Sequence, residues 1–217
     1  MRHPKLLMEM EFYMRTEIKI CGITSIDEIR FLKKKQPDYV GMVLYFEKSK
    51  RNLTLQQAGD LCETAGDALR KVAVTVSPTP EQADEIYKAG FDILQVHGEL
   101  HPEVLAMSKL PIIRAFQKVE PEEMLSLSQN TGICGFLFDA ASPGSGKTFD
   151  WDQMQGIRTY TADKKIFLAG GLTPDNVAQA IRSVHPDAVD VSSGVENASG
   201  IGKDFRKIEQ FIKNAGN

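Results

Sequence analysis

The chain has 217 residues, 42% of them hydrophobic and 25% charged, with a formal net charge of -3. That is enough apolar material for one large core in one domain. The balanced charge, without a Lys/Arg cluster or an aromatic-basic alternation, excludes a polyanionic partner such as nucleic acid. No stretch reaches the roughly 18 uninterrupted apolar residues of a membrane span, so no membrane association is expected.

In chain order, residues 1–16 come first. Glu9 and Glu11 interrupt their apolar residues and no small-residue cleavage site follows. The segment reads as a loosely ordered extension rather than a signal peptide, with Met14 the expected functional start and residues 17–217 the folded domain. Cys21, Cys62 and Cys134 are odd in number and match no zinc or CxxC spacing. Reduced thiols, no metal and a cytoplasmic location are expected.

From residue 17 onward, short Val/Ile/Leu-rich runs alternate with longer stretches of helical period. Candidate strands are 17–21, 38–44, 70–76, 92–96, 111–116, 134–139, 165–169 and 187–192. Strands alternating with helices indicate βαβ units on a parallel sheet. Ser25 with Glu28, Thr54 with Gln57, and Thr79 with Gln82 fit the capping box, and Thr173-Pro174 predicts a helix with Pro in its first turn. Leu55, Ala58, Cys62, Ala65 and Leu69 form one apolar helix face; Val177, Ala180, Ile181 and Val184 form another. An Asp opens several strands: Asp38, Asp92 and Asp187. The fold class that follows is α/β, a single-domain (β/α)8 TIM barrel. An open doubly wound sheet is the rival, but the first turn, Cys21-Gly22-Ile23-Thr24, lacks the glycine fingerprint of that fold.

In such barrels the chemistry sits where strands end, which sorts the candidates. Cys21 ends the first strand and is placed for catalysis, although a small buried apolar role is equally open to it. Cys62 lies on a helix and Cys134 at the opposite end of its strand. Asp139 ends the sixth strand and opens the loop 140–149, where it could act on a ligand or simply cap a turn. ASPGSGKT (141–148) fits a loose P-loop pattern, but the segment after it is short and contains Gly156. A working P-loop needs a substantial helix there, so this loop reads as a cover over the barrel mouth. Turns at Gly170-Gly171-Leu172 and Ser193-Gly194 follow the last two strands, where barrels often bind phosphate through backbone amides. Arg51 follows the second strand and could clamp a carboxylate, or be a solvated charge beside Lys48 and Lys50. His97 ends the fourth strand as a substrate contact or a hydrogen-bonded structural histidine. Asp190 lies within the eighth strand, suited to supporting the site from behind.

The segments KICGIT (19–24), SKR (49–51), LQVHGE (94–99), FDAASPGSGKTFDW (138–151), LAGGL (168–172) and VDVSSGVE (189–196) resemble, in order, the signatures of the phosphoribosylanthranilate isomerase family. Gly202-Lys203-Asp204 is similar to that family's approach to its final helix. Pro143, Lys50 and Val96 depart from its usual residues without removing a catalytic group. The resemblance implies a phosphosugar substrate, N-(5-phosphoribosyl)anthranilate, rearranged without a cofactor in tryptophan biosynthesis by a monomer or homodimer. It implies Asp139 as general acid, Cys21 as general base, Arg51 on the anthranilate carboxylate, and Gly171, Leu172, Ser193 and Gly194 on the phosphate. With ordinary pKa values of about 3.9 and 8.5, Asp139 and Cys21 would both be mostly in the wrong form at neutral pH. Burial and phosphate should therefore raise that of Asp139, and helix N-termini should favour a thiolate at Cys21. Two other readings remain. Indole-glycerol-phosphate synthase would need catalytic lysines and a longer N-terminal segment, and a non-catalytic phosphosugar-binding barrel would need neither Cys21 nor Asp139.

Overall fold

The computed structural model describes residues 15–139, 154, 156–200 and 202–216. The extension, apart from Arg15 and Thr16, and the 140–149 loop lie outside the described residues. The strands are β1 (Glu17–Cys21), β2 (Tyr39–Leu44), β3 (Asn52–Leu53), β4 (Arg70–Val76), β5 (Ile93–His97), β6 (Ile112–Phe116), β7 (Ile133–Phe138), β8 (Lys165–Leu168) and β9 (Ala188–Val191). The helices are α1 (Ile26–Lys35), α2 (Leu55–Ala65), α3 (Pro80–Lys88), α4 (Pro102–Met107), α5 (Pro121–Ser128), α6 (Arg158–Thr161), α7 (Val177–Val184) and α8 (Phe205–Ala215).

The sheet runs β1-β9-β8-β7-β6-β5-β4-β2, and β1 also pairs with β2, which closes it into an eight-stranded parallel barrel. Closure decides against the open sheet. The two-residue β3 is an addition that pairs in parallel with the end of β2, and it brings the segment after Arg51 back along the barrel.

Alternation along each strand separates two apolar layers. Ile18, Ile20, Val40, Met42, Phe136, Phe138, Ile166, Leu168, Val189 and Val191 belong to the core between sheet and helices. Cys21, Tyr39, Val72, Val74, Ile113, Leu137, Phe167 and Ala188 pack together inside the barrel. Lys19 and Asp190, two residues from Cys21 and Ala188 respectively, therefore belong to the interior set by period.

The three capping boxes at Ser25, Thr54 and Thr79 all form. The helix expected at Thr173-Pro174 instead begins at Val177. Asn176 Oδ1 accepts from the Thr173 N–H at 2.8 Å and its Nδ2 donates to the Gly171 carbonyl at 2.9 Å, so a side-chain turn occupies the intervening residues. Leu69 is buried but lies past the end of α2. The strand-opening aspartates share one geometry. Each donates its own N–H to, and accepts through its carboxylate from, a single residue of the preceding barrel strand: Asp38 with Ile18, Asp92 with Lys71, and Asp187 with Ile166. This satisfies a strand end whose backbone would otherwise lack a ladder partner.

Candidate active site

The C-terminal edge gathers residues from strands distant in sequence. Cys21 is buried at the end of β1, opposite Gly41 in the register with β2. The next two amides, of Gly22 and Ile23, both donate to the Gly41 carbonyl at 2.9 Å, folding the β1 loop across the end of β2. Gly22 has φ +76°, and a β-carbon there would stand 2.5 Å from Arg51 Cδ and 2.9 Å from Ser192 Oγ. The bare glycine thus lets the Arg51 stem and the β9 terminus close on the residue next to Cys21.

Arg51 is not a solvated charge. Its Nε donates to Glu196 Oε1 at 2.5 Å, while Lys50 Nζ donates to Glu196 Oε2 at 3.0 Å. Lys203 Nζ lies 3.6 Å from the same carboxylate and donates to the Ser192 carbonyl at 3.0 Å. Burial pushes the Glu196 carboxyl up, but hydrogen bonds from Arg51 and Lys50 and the nearby Lys203 charge more than reverse this and hold it below its usual range. Glu28 completes the tie: Oε1 accepts from the Lys203 N–H at 2.8 Å and Oε2 from the Thr24 N–H at 2.7 Å, joining the first and last loops.

The two glycine-containing turns meet. A β-carbon on Gly194 would collide with the Leu172 carbonyl oxygen, so the loops after β8 and β9 touch only because residue 194 lacks a side chain. Gly170 and Gly171 have φ +81° and +67°, left-handed conformations in which β-carbons are strained. Gly171, Leu172, Ser193 and Gly194 therefore form one continuous rim.

His97 ends β5, its Nε2 lying 2.8 Å from Gln95 Nε2. Burial, aided by the Lys19 and Arg114 charges, pushes its pKa down to about 4, so the ring is neutral and accepts from the Gln95 amide. Asp139 follows β7 directly, half-buried, with its N–H donating to the Phe116 carbonyl at 2.9 Å.

At Cys21 the direction of the shift is opposite to the expected one. Burial pushes the thiol up, and the main opposing pull comes from the Lys19 ammonium, with Asp190 adding to the rise and Lys203 opposing it. Lys19 is fully buried and donates to Asp190 Oδ2 at 2.9 Å, its register partner on β9. Burial also pushes up Cys62, to about 12, and Cys134, to about 11. Lys19, Glu196 and Lys203 were missed in the sequence. Lys19 had a signal: a lysine in an apolar strand, two residues before a candidate cysteine, must share its face.

Among the described residues no helix is long and apolar enough to cross a membrane, and no group of three or more His, Cys, Asp or Glu side chains could hold a metal ion.

A closed parallel barrel whose thiol, carboxylate, guanidinium and glycine turns collect on the C-terminal rim belongs to the (β/α)8 barrel enzymes. Residues 18–214 match the family model described as N-(5'phosphoribosyl)anthranilate (PRA) isomerase. The N-(5'-phosphoribosyl)anthranilate isomerase of Streptococcus mutans serotype c is 40% identical over 199 residues, 91% of this chain and 97% of the relative. The crystal structure of phosphoribosyl anthranilate isomerase from Thermotoga maritima superposes with a TM-score of 0.79 at 35% identity, covering 92% of this chain and 98% of that one. A further solved isomerase, in complex with reduced 1-(o-carboxyphenylamino)-1-deoxyribulose 5-phosphate, gives 0.77 at 33% identity, covering 92% and 98%. The chain belongs to the phosphoribosylanthranilate isomerase family, and it is an isomerase.

Proposed function

We propose that the chain converts N-(5-phosphoribosyl)anthranilate into 1-(2-carboxyphenylamino)-1-deoxyribulose 5-phosphate in tryptophan biosynthesis, by an Amadori rearrangement needing no cofactor. The observation that carries this reading is the family match across residues 18–214, with Cys21 and Asp139 both at the C-terminal edge of one closed barrel. The solved relative bound to a reduced form of that product supports the same substrate class.

In this reading Asp139 protonates the furanose ring oxygen as the bond from the anomeric carbon to that oxygen breaks, and the anthranilate nitrogen supplies the electron pair that forms the Schiff base. Cys21, as thiolate, then removes the proton from C2. The C2–H electrons form the C1–C2 double bond while the C1=N π pair returns to nitrogen, giving an enolamine that tautomerises to the ketone. An aldose-to-ketose conversion needs one proton delivered to oxygen and one taken from carbon, so two residues suffice. Arg51, held on edge by Glu196 through Nε, offers its remaining nitrogens to the anthranilate carboxylate. The rim amides of Gly171, Leu172, Ser193 and Gly194 hold the phosphate, and neutral His97 contacts the substrate as a hydrogen-bonding group rather than a charge.

The test is to follow loss of anthranilate fluorescence from freshly generated phosphoribosylanthranilate. Cys21→Ala and Asp139→Ala should each lower kcat by about 10²–10⁴-fold, the usual worth of a positioned acid or base. Arg51→Ala should act mainly on KM. A wild type that binds the substrate and leaves its fluorescence unchanged would favour a non-catalytic phosphosugar-binding barrel.

A further inference from the structure

The base assigned to Cys21 raises a problem that the barrel interior answers. Burial holds this thiol protonated, and a general base must be a thiolate. The Lys19 ammonium is the largest pull against burial. Three charged side chains face the sulfur: Lys19 from the same strand, Asp190 from β9, and Lys203 from the segment before α8. Lys203 is committed elsewhere, to the Ser192 carbonyl, the Ser192 hydroxyl at 3.4 Å and the Glu196 carboxylate.

Lys19 is placed differently. Its ammonium is sealed inside the barrel, where one carboxylate oxygen, Asp190 Oδ2, takes one of its three protons, and the Cys21 sulfur lies in the same small space beside it. Asp190 Oδ1 has no hydrogen-bond partner among the described residues, so the pair is not closed on itself. The room for this arrangement comes from Gly41. A β-carbon there would lie 2.8 Å from Cys21 Sγ and 3.1 Å from Lys19 Nζ, so sulfur and ammonium share the space that a side chain on β2 would fill. His97 also feels the Lys19 charge, and its ring is neutral.

We propose that Lys19 is a positioning residue for Cys21: its ammonium, oriented by Asp190 in the space left by Gly41, is the fixed counter-charge for the thiolate that removes the C2 proton. In a buried site a full charge beside sulfur is weakly screened, so it favours the thiolate far more than a surface lysine would. Asp190 works in both directions. It anchors Lys19, and its own negative charge disfavours a second anion at Cys21. A purely structural Lys19–Asp190 pair, filling the barrel floor under the site, would leave the sulfur's titration indifferent to both residues.

The proposal rests on the assignment of Cys21 as base, but its test does not need turnover. In a Cys62→Ala/Cys134→Ala background, thiolate absorbance near 240 nm is titrated against pH in the full chain. Lys19→Met should move the Cys21 titration upward, cutting the thiolate fraction at a fixed pH at least tenfold. Asp190→Asn should move it downward. In the wild-type background Lys19→Met should lower kcat at neutral pH by a comparable factor with KM little changed, and shift the alkaline rise of kcat to higher pH. An unmoved or downward-shifted titration in Lys19→Met overturns the proposal. If Lys19→Met does not fold because Asp190 is left buried alone, the Lys19→Met/Asp190→Asn double variant removes that lone charge: a Cys21 titration above that of Asp190→Asn supports the proposal, and one that coincides with it overturns it. Full turnover by Cys21→Ala would instead sink the assignment of the base, and the titration would still report whether Lys19 controls the thiol.

Discussion

The two ends of the barrel use buried charge in opposite ways. At the N-terminal end Glu17 is saturated: it accepts from Lys165 Nζ at 2.6 Å, Tyr39 Oη at 2.6 Å and Arg70 Nη2 at 2.8 Å, and the Arg70 guanidinium stacks over the Tyr39 ring. Burial pushes its carboxyl up, yet these three donors hold it down at about 2. At the C-terminal end the Glu196 network is likewise closed, but the groups around Cys21 are not. Cys21 is held protonated, His97 is held neutral, and Asp190 keeps one oxygen without a partner among the described residues. The same strands thus carry a closed network at one end and, around Cys21, a buried set with an unpartnered carboxylate oxygen at the other.

The contrast can be broken from either end. The largest effect is expected from Gly41→Ala, whose new β-carbon must displace the Cys21 sulfur or the Lys19 ammonium. Kinetic assay should show kcat reduced on the order of 10²-fold, the usual result of misplacing a reacting group by about an ångström. At the other end, Glu17→Gln should leave kcat within about twofold. It should cost roughly 1–2 kcal/mol in denaturant unfolding at neutral pH, a linkage value discounted because the cluster is partly solvated. The sign is fixed by the depressed pKa. The Glu17 contribution is complete above its ordinary value of 4.5 and fades as pH falls toward about 2, so wild type and variant should converge in acid. A constant gap down to pH 2 would show that the cluster acts through packing rather than charge. The smallest effect is expected from Asp92→Ala, which removes the acceptor of the Lys71 N–H at the start of β4. About 1 kcal/mol of stability should be lost, with kinetics unchanged.

Much of this was legible locally. Ser25, Thr54 and Thr79 announce their helices because a cap and its partner lie three residues apart, and the strand runs are recognisable because fully buried parallel strands are continuous apolar segments. Cys21 and Asp139 could be picked out because a strand's last residue in a barrel faces the rim. Pro174 misled because the Thr173–Asn176 turn competes with helix initiation, and that competition depends on the Gly171 carbonyl being in reach. The direction of the Cys21 shift was misjudged for a related reason: burial at that position is set by every strand around it.

The sequence by itself determined the order of strands and helices, the caps, the barrel class and the placing of Cys21 and Asp139 at the C-terminal edges of β1 and β7, since each depends on periodicity or on partners a few positions apart. Only the tertiary structure decided which charges meet. Lys19 and Asp190 are 171 positions apart and Arg51 and Glu196 are 145 apart. They become neighbours because β1 pairs with β9 on one side and β2 on the other, and no local pattern encodes the register that closes a barrel.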